Sequence, residues 1–202
     1  MGLCGHSWGG YETNFIVTHS KLFAAAAEGA GPTDFIAGYG SLAGVDGIGP
    51  GNYSLYEHDQ SRMGGTLWDK PDLYIKNSPI LYADKITAPL LIFHNKLDHA
   101  VPWSQGVELF IALWRLGKPG WMLQYDGEGH TLDKEENILD YTTRLTQFFD
   151  HYLKGEPAPK WMTQGIPYAL KGIETGYELD PDGYCSKTCK VCKKLHEKSK
   201  TK

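Results

Sequence analysis

Residues 2–11 read GLCGHSWGGY, a short apolar run that ends in a serine with glycines close on both sides. Gly5 and Gly9 each stand two positions from Ser7. Small residues at a strand-to-helix junction let the backbone turn sharply and leave the serine hydroxyl clear of the sheet. The stretch therefore predicts a strand, a tight turn at Ser7 and a helix that begins directly after it.

Apolar runs and helical patterns alternate along the rest of the chain. The strand candidates are 1–4, 22–27, 89–93 and 121–125. The helix candidates, in which apolar residues recur every three to four positions, are 9–20, 104–116 and 134–153. Alternation of this kind favours an α/β protein with a parallel sheet and helices on both faces. Residues 28–65 are rich in glycine and aromatic residues and predict a long irregular segment.

The charge distribution excludes several classes of partner. Residues 1–184 carry 23 acidic and 13 basic side chains, whereas residues 185–202 carry seven lysines and one glutamate. An acidic body without a basic stripe argues against nucleic acid as a partner of the main domain. No apolar run approaches the length that crosses a bilayer, so we expect no membrane partner. No signal-like segment follows Met1, and we expect the true N-terminus to lie further upstream.

A base and an orienting group for Ser7 follow in order along the chain. Asp98 comes just after the strand candidate 89–93, and His130 comes just after the strand candidate 121–125. Since the carboxyl ends of parallel strands meet at one edge of a sheet, we expect both side chains near Ser7. The order Ser, Asp, His is the order that the α/β-hydrolase fold uses for its catalytic triad. The amide N–H of Trp8, at the helix N-terminus, would donate to an oxyanion.

Neighbouring polar residues offer alternatives that carry less weight. The rival carboxylates are Asp126, Glu128 and Asp133, which lie so near His130 in sequence that we expect them to point along their own loop. The rival histidines are His6, His94 and His99, which we interpret as packing or loop residues. Cys4 is interpreted as a small buried residue of the first strand.

Four stretches resemble the C-terminal part of the catalytic domain of the prolyl oligopeptidase family. They read GHSWGGY, GGTLWDKPDLYIKNSPILYADKI, PLLIFHNKLDHAVPWSQGVELFIALWRLGKPGWMLQYDGEGH and TTRLTQFFDHYLKG. Within that family the likeness is greatest to bacterial relatives of dipeptidyl peptidase IV and acylaminoacyl peptidase, and it covers about residues 2–162. The resemblance implies Ser7 as nucleophile, Asp98 as orienting residue and His130 as base, with the Trp8 amide as one oxyanion donor.

The resemblance also sets expectations for the remainder of the protein. It implies a partial α/β-hydrolase domain over 1–162, truncated on its N-terminal side, followed by an extension over 163–184. We expect a full-length parent to contain the upstream half of the hydrolase domain and a β-propeller. The second oxyanion donor would come from a residue upstream of this chain. Trp8, Phe35 and Tyr39 are candidates to line a pocket for a small apolar or proline-like side chain of the substrate.

The last 18 residues differ in character from the rest. Four residues with metal-ligating side chains stand close together here: Cys185, Cys189, Cys192 and His196. Zinc sites use such side chains, but this lysine-rich segment offers almost no apolar residue around which a knuckle could fold. We therefore expect 185–202 to be a solvated, disordered tail, and we expect neither a metal nor a cofactor.

The sequence thus predicts a serine peptidase that acts on short peptides through an acyl-enzyme. Two alternatives stay open at this point. One is an α/β-hydrolase esterase, and the other is a catalytically incompetent fragment that lacks the upstream half of its domain.

Overall fold

The computed structural model describes residues 1–42 and 52–180. The chain forms two compact units, Met1–Ile138 and Leu139–Lys202. The predictions made for Cys185, Cys189, Cys192 and His196 lie outside the described residues, as does part of the irregular segment predicted over 28–65.

Four parallel strands form the sheet of the first unit, in the order β1-β2-β3-β4. They are β1 (Gly2–His6), β2 (Ala25–Gly29), β3 (Leu90–Phe93) and β4 (Gly120–Leu123). The parallel arrangement predicted from the sequence is therefore present. Since all four strands are parallel, every loop after a strand leaves from the same edge of the sheet.

Helices connect these strands. In the first unit they are α1 (Trp8–His19), α2 (Phe35–Tyr39), α3 (Tyr53–Glu57), α4 (Pro71–Lys76), a 3₁₀ helix (Pro79–Lys85) and α5 (Trp103–Arg115). The short helices α2 and α3 fall in the segment predicted to be irregular. Asp34 caps α2, because its carboxylate accepts hydrogen bonds from the N–H groups of Ile36 and Ala37. A capped helix of five residues has no apolar repeat from which the sequence could predict it.

The main hydrophobic core lies on one face of the sheet. It joins side chains of α1, the 3₁₀ helix and α5 to alternate residues of the strands: Val17, Ala26, Ala83, Ile86, Leu90, Ile92, Leu109 and Leu113. A second cluster is formed by side chains of the segment between β2 and α4 and of α4 itself: Phe35, Tyr56, Met63 and Tyr74. The cores fix α1 and the strand ends that carry the candidate site.

The prediction that Cys4 is buried is wrong. The sequence predicts a buried cysteine, but the Cys4 side chain is exposed. The reason is its strand: β1 is the outermost strand in the sheet of the described residues, so only β2 pairs with it. An edge strand leaves residues accessible that a central strand would bury.

The second unit contains the greater part of α6 (Glu135–Phe149), a π-helical turn (Asp150–Lys154), α7 (Lys160–Thr163) and a 3₁₀ helix (Tyr168–Leu170). Gly155 ends the long helix in the left-handed region at φ 82°. Arg144 makes a two-point ion pair with Asp140, at 2.7 and 3.0 Å. Its guanidinium also lies over the rings of Trp161 and Tyr177. None of the helices in the described parts of the chain is long and apolar enough to cross a membrane.

Candidate active site

The turn at Ser7 is a strained strand-to-helix junction. Ser7 has φ 58° and ψ −120°, a backbone conformation that non-glycine residues rarely adopt. Its N–H donates a 2.7 Å hydrogen bond to the carbonyl oxygen of Gly29 at the end of β2. A Cβ atom at Gly5 would come within 2.0 Å of the Gly9 carbonyl oxygen, so only glycine fits there. The glycines of the opening stretch thus permit the turn, as the sequence predicts.

Ser7, His130 and Asp98 form one continuous hydrogen-bonded line. His130 Nε2 lies 2.8 Å from Ser7 Oγ, and His130 Nδ1 lies 2.8 Å from Asp98 Oδ2. The Asp98 side chain is fully buried, whereas the His130 side chain keeps 24% of its surface exposed. The three residues follow β1, β3 and β4, so the sheet edge brings together side chains that stand up to 123 positions apart.

Asp98 is held as a carboxylate by several donors. Its Oδ1 accepts 2.8 Å hydrogen bonds from the N–H groups of Ala100 and Val101. Its Oδ2 faces His130 and also His94 Nε2, which is 3.2 Å away. Burial by itself would raise the pKa of Asp98, but the hydrogen bonds from His130, His94 and Val101 outweigh burial and hold the pKa well below its ordinary range. Asp98 is therefore a negative charge at any pH near neutrality.

Two buried residues fix the loops of Asp98 and His130: Asn95, which the sequence analysis did not single out, and Glu128, which it considered only as a rival carboxylate. The Asn95 side chain accepts a 2.8 Å hydrogen bond from Tyr125 N–H and donates a 2.9 Å hydrogen bond to the Gly129 carbonyl. Glu128 accepts hydrogen bonds from the N–H groups of Asp133 and Lys134, at 2.9 and 3.2 Å, at the start of α6. Asn95 follows β3 directly, and that position is the only signal in the sequence that could have identified it.

The rival residues occupy other positions. Glu128 is bound to the start of α6, and Asp126 Oδ1 accepts a 3.2 Å hydrogen bond from the Gln124 side chain. His99 is exposed, whereas His94 is fully buried beside Asp98. The His6 ring packs against the His130 ring with 4.9 Å between centroids. Burial and the neighbouring His130 lower the pKa of His6.

A cavity of about 260 Å³ opens beside Ser7. Its walls are mainly apolar and include Trp8, Leu55, Tyr56, Val101 and Pro102. Trp8 and Gln60 also border a second cavity of about 460 Å³, which is lined in part by Phe35 and Met63.

The three candidate pocket residues lie in different surroundings. Trp8 borders both cavities. Phe35 is buried, with its ring stacked on Tyr11 and Tyr56. Tyr39 packs against Trp68 and Tyr74, and its hydroxyl donates to Glu57. In the described ranges 1–42 and 52–180, no group of three His, Cys, Asp or Glu side chains is arranged to hold a metal ion.

Known proteins match most of this chain in sequence. The chain is 32% identical over 158 residues to a Bacillus subtilis protein described as the uncharacterized peptidase YuxL, which covers 76% of this chain and 22% of that protein. It is 26% identical over 176 residues to dipeptidyl-peptidase 5 of Aspergillus oryzae, covering 73% of this chain and 24% of that one. The chain thus spans less than a quarter of the length of these relatives.

A solved structure has the same fold. An acylaminoacyl peptidase in complex with Z-Gly-Gly-Phe-chloromethyl ketone matches with a TM-score of 0.64 and 26% identity, over 76% of this chain and 24% of that chain. The parallel sheet and its helices are thus part of an α/β-hydrolase fold, as predicted. The model of the prolyl oligopeptidase family matches residues 1–156. The strained turn at Ser7 lies at the edge of the sheet in this fold. Because the family model matches most of its residues, the chain belongs to the prolyl oligopeptidase family.

Proposed function

We propose that this chain carries the catalytic residues of a serine peptidase, with Ser7 as nucleophile, His130 as general base and Asp98 as the residue that orients the base. The observation that carries the proposal is the pair of 2.8 Å hydrogen bonds that join the three side chains. Because the Asp98 carboxylate can only accept, His130 Nδ1 bears the proton and Nε2 is free to take the proton of the Ser7 hydroxyl.

The chemistry follows from these positions. Ser7 Oγ attacks the carbonyl carbon of the scissile peptide bond while His130 Nε2 takes its proton. His130 then returns that proton to the leaving amine, which departs and leaves an ester on Ser7. A water molecule, deprotonated by His130, hydrolyses the ester and regenerates Ser7. The Trp8 N–H, in the first turn of α1, donates to the oxyanion that forms in both steps.

A longer parent protein completes the site in this proposal. In the described residues β1 has a strand partner on one side only, which leaves its other edge free for a preceding strand. We assign 1–162 to the C-terminal portion of the catalytic domain, 163–184 to an extension and 185–202 to a tail. The upstream half of the domain supplies the second oxyanion donor, and a β-propeller precedes it.

Short peptides are the proposed substrates. A cavity of about 260 Å³ with apolar walls at Leu55, Tyr56 and Val101 suits one small apolar side chain next to the scissile bond. Trp8 contributes both a wall of this cavity and the oxyanion donor. The acylaminoacyl peptidase that shares the fold was solved with a peptide-like ligand, which is consistent with a peptide as substrate here.

A fluorophosphonate probe tests the proposal because it phosphonylates only an activated serine. We expect the probe to label the 202-residue chain at Ser7, identified by mass spectrometry of the labelled peptide. Ser7→Ala should abolish labelling, and His130→Ala should lower its rate by at least about 1,000-fold. His99→Gln is the matched control, since His99 is exposed next to Asp98 and should label at the rate of the unaltered chain.

Two further outcomes separate the alternatives. Hydrolysis of p-nitrophenyl esters without hydrolysis of the matching peptide anilides, in a chain that is labelled, would favour an esterase. Equal labelling of the unaltered chain and of His130→Ala would contradict the assignment of the base. A folded chain without any labelling would favour an incompetent fragment.

A further inference from the structure

Three polar side chains are buried beneath the candidate site. Asn14 of α1, Glu28 of β2 and His94, directly after β3, have no exposed surface. Burying a polar group without a partner costs about 1–3 kcal/mol, and a charged group costs more. None of the three takes part in the proposed reaction. Their presence in the core therefore requires a physical reason.

The sheet brings Glu28 and His94 to the same face. Glu28 lies opposite Ile92 in the register of β2 and β3, and His94 follows Ile92 by two residues. Strand spacing and rise then separate the backbones of Glu28 and His94 by roughly 8 Å, which long side chains can span. Glu28 Oε2 accepts a 3.0 Å hydrogen bond from Gly31 N–H, so the carboxyl group points toward the end of the sheet at which His94 lies.

The His94 ring contacts the Asp98 carboxylate directly. His94 Nε2 lies 3.0 Å from the Val101 carbonyl oxygen and 3.2 Å from Asp98 Oδ2. Both of these atoms are acceptors, so Nε2 carries a proton. On the other side of the ring, a Cβ atom at Gly106 would come within 2.7 Å of Nδ1, which leaves room only for glycine in α5. Asp98 Oδ2 thus receives hydrogen bonds from two imidazoles, His94 and His130.

The charged groups around His94 favour its protonated form. The negative charges are Glu28, on the same sheet face in β2, and Asp98, in contact with His94 from its own loop. His6 of β1 would oppose the His94 charge, and α1 and α5 contribute the uncharged Asn14 and Gly106. Burial by itself would lower the pKa of His94, but the Asp98 hydrogen bond and the Glu28 charge outweigh it and raise the pKa.

The same neighbours act on Glu28 in the opposite direction. Burial raises the pKa of Glu28 to about 7, even though the His94 charge and the Gly31 N–H act to lower it. Near neutral pH the carboxyl group and the imidazole therefore each stabilise the charged form of the other.

We propose that Glu28 and His94 act through space as a buried charge pair behind Asp98, without a hydrogen bond between them. In this pair Glu28 keeps His94 cationic, and His94 partly neutralises the charge that Asp98 presents to His130. This inference rests on the proposed function, in which His130 is the base. His94 is a positioning residue: it touches Asp98 and not the substrate. Its cationic form keeps His130 free to accept the Ser7 proton at a lower pH than Asp98 alone would allow.

The pH dependence of fluorophosphonate labelling tests the pair. Glu28→Gln keeps the size of the side chain and removes its charge, and His94→Gln keeps a donor near Asp98 while removing the cation. In each variant we expect the acidic limb of the labelling profile to move up by about one pH unit, so that the rate at pH 6 falls by roughly threefold to tenfold relative to its plateau. The matched controls are Glu136→Gln and His99→Gln, both at exposed positions.

The double variant distinguishes a pair from two separate effects. If Glu28 acts through His94, the acidic limb of the double variant should lie at the same pH as in either single variant. A lower plateau with an unmoved limb would indicate a merely structural role and would overturn the proposal. A double variant whose acidic limb moves by the sum of the two single shifts would also overturn the proposal.

Nuclear magnetic resonance of the His94 ring nitrogens keeps the test independent of catalysis. We expect His94 in the unaltered chain to titrate above the ordinary range of histidine, and at a lower pH in Glu28→Gln. If Ser7 is not labelled at any pH, the proposed function fails, and the ring titration alone then decides for or against the pair. A His94 titration that Glu28→Gln leaves unmoved would contradict it.

Discussion

The amide N–H of Ser7 donates a 2.7 Å hydrogen bond to the carbonyl oxygen of Gly29. This bond ties the strained turn at the end of β1 to the end of β2, across two neighbouring strands. A backbone conformation at φ 58° costs free energy at a serine, and it persists because the surrounding sheet and helix hold it. The position of the Ser7 hydroxyl therefore depends on close packing between α1 and the first two strands.

Gly5→Ala tests that packing. The new Cβ atom would meet the Gly9 carbonyl oxygen at 2.0 Å, so α1 has to move away from β1. We expect a loss of several kcal/mol in the free energy of unfolding, or failure to fold, measured by urea denaturation.

Gly9→Ala is the matched control for that variant. Its Cβ atom would have no neighbour within 4 Å, and alanine is favoured over glycine in a helix by about 1 kcal/mol. The control should be as stable as the unaltered chain or more so. Equal stability of the two alanine variants would contradict the close approach at Gly5.

Asn95→Ala should disconnect the loops that carry Asp98 and His130. The substitution removes the side-chain hydrogen bonds to Tyr125 N–H and to the Gly129 carbonyl, each of which contributes about 0.5–1.5 kcal/mol to stability. We expect lower thermal stability together with a fluorophosphonate labelling rate at least about tenfold lower.

Asn77→Ala serves as its control. The Asn77 amide donates only within its own helix end, to the Leu73 carbonyl, in an exposed position. The control should change the melting temperature little. If Asn95→Ala labelled as fast as this control, the link between the two loops would have no role in holding His130.

Glu28→Gln should change the pH dependence of stability. Since the folded-state pKa of Glu28 is raised to about 7, the folded chain holds this proton more tightly than the unfolded chain, and stability is lost as pH rises from about 4.5 to 7. The glutamine variant lacks that loss. We therefore expect its stability relative to the unaltered chain to improve with rising pH, by up to about 3 kcal/mol across this window, in urea titrations at pH 5 and pH 8. A difference that stays constant with pH would contradict a raised Glu28 pKa.

Leu55→Trp should fill the cavity beside Ser7. Leu55 lines that cavity of about 260 Å³, and an indole in its place would occupy much of it. We expect phosphonates with a bulky apolar substituent to label Ser7 at least about tenfold more slowly, while a small methyl phosphonate labels at an unchanged rate. Ile111→Trp, on the exposed side of α5, should leave both rates unaltered. Parallel loss with both probes would indicate that the cavity does not receive the substituent.

Local patterns in the sequence determined the four strands, the three long helices and the three candidate catalytic residues. The alternation of apolar runs with helical periodicity predicted the parallel sheet, because each strand and helix buries its own face. The glycines around Ser7 predicted the turn, and at Gly5 no other residue fits the close approach to α1. Asp98 and His130 could be chosen because parallel strands deliver their following loops to one edge.

Tertiary structure alone decided how those residues are supported. The Asn95 bonds to Tyr125 and Gly129 join positions about 30 residues apart, and no local pattern marks them. The burial of Glu28 beside His94 depends on the register of β2 against β3, and the exposure of Cys4 depends on β1 lying at the edge of the sheet. Sequence patterns report which face of an element is apolar. The neighbours that the face meets are fixed only when distant segments pack, and those neighbours set the charge and position of each side chain.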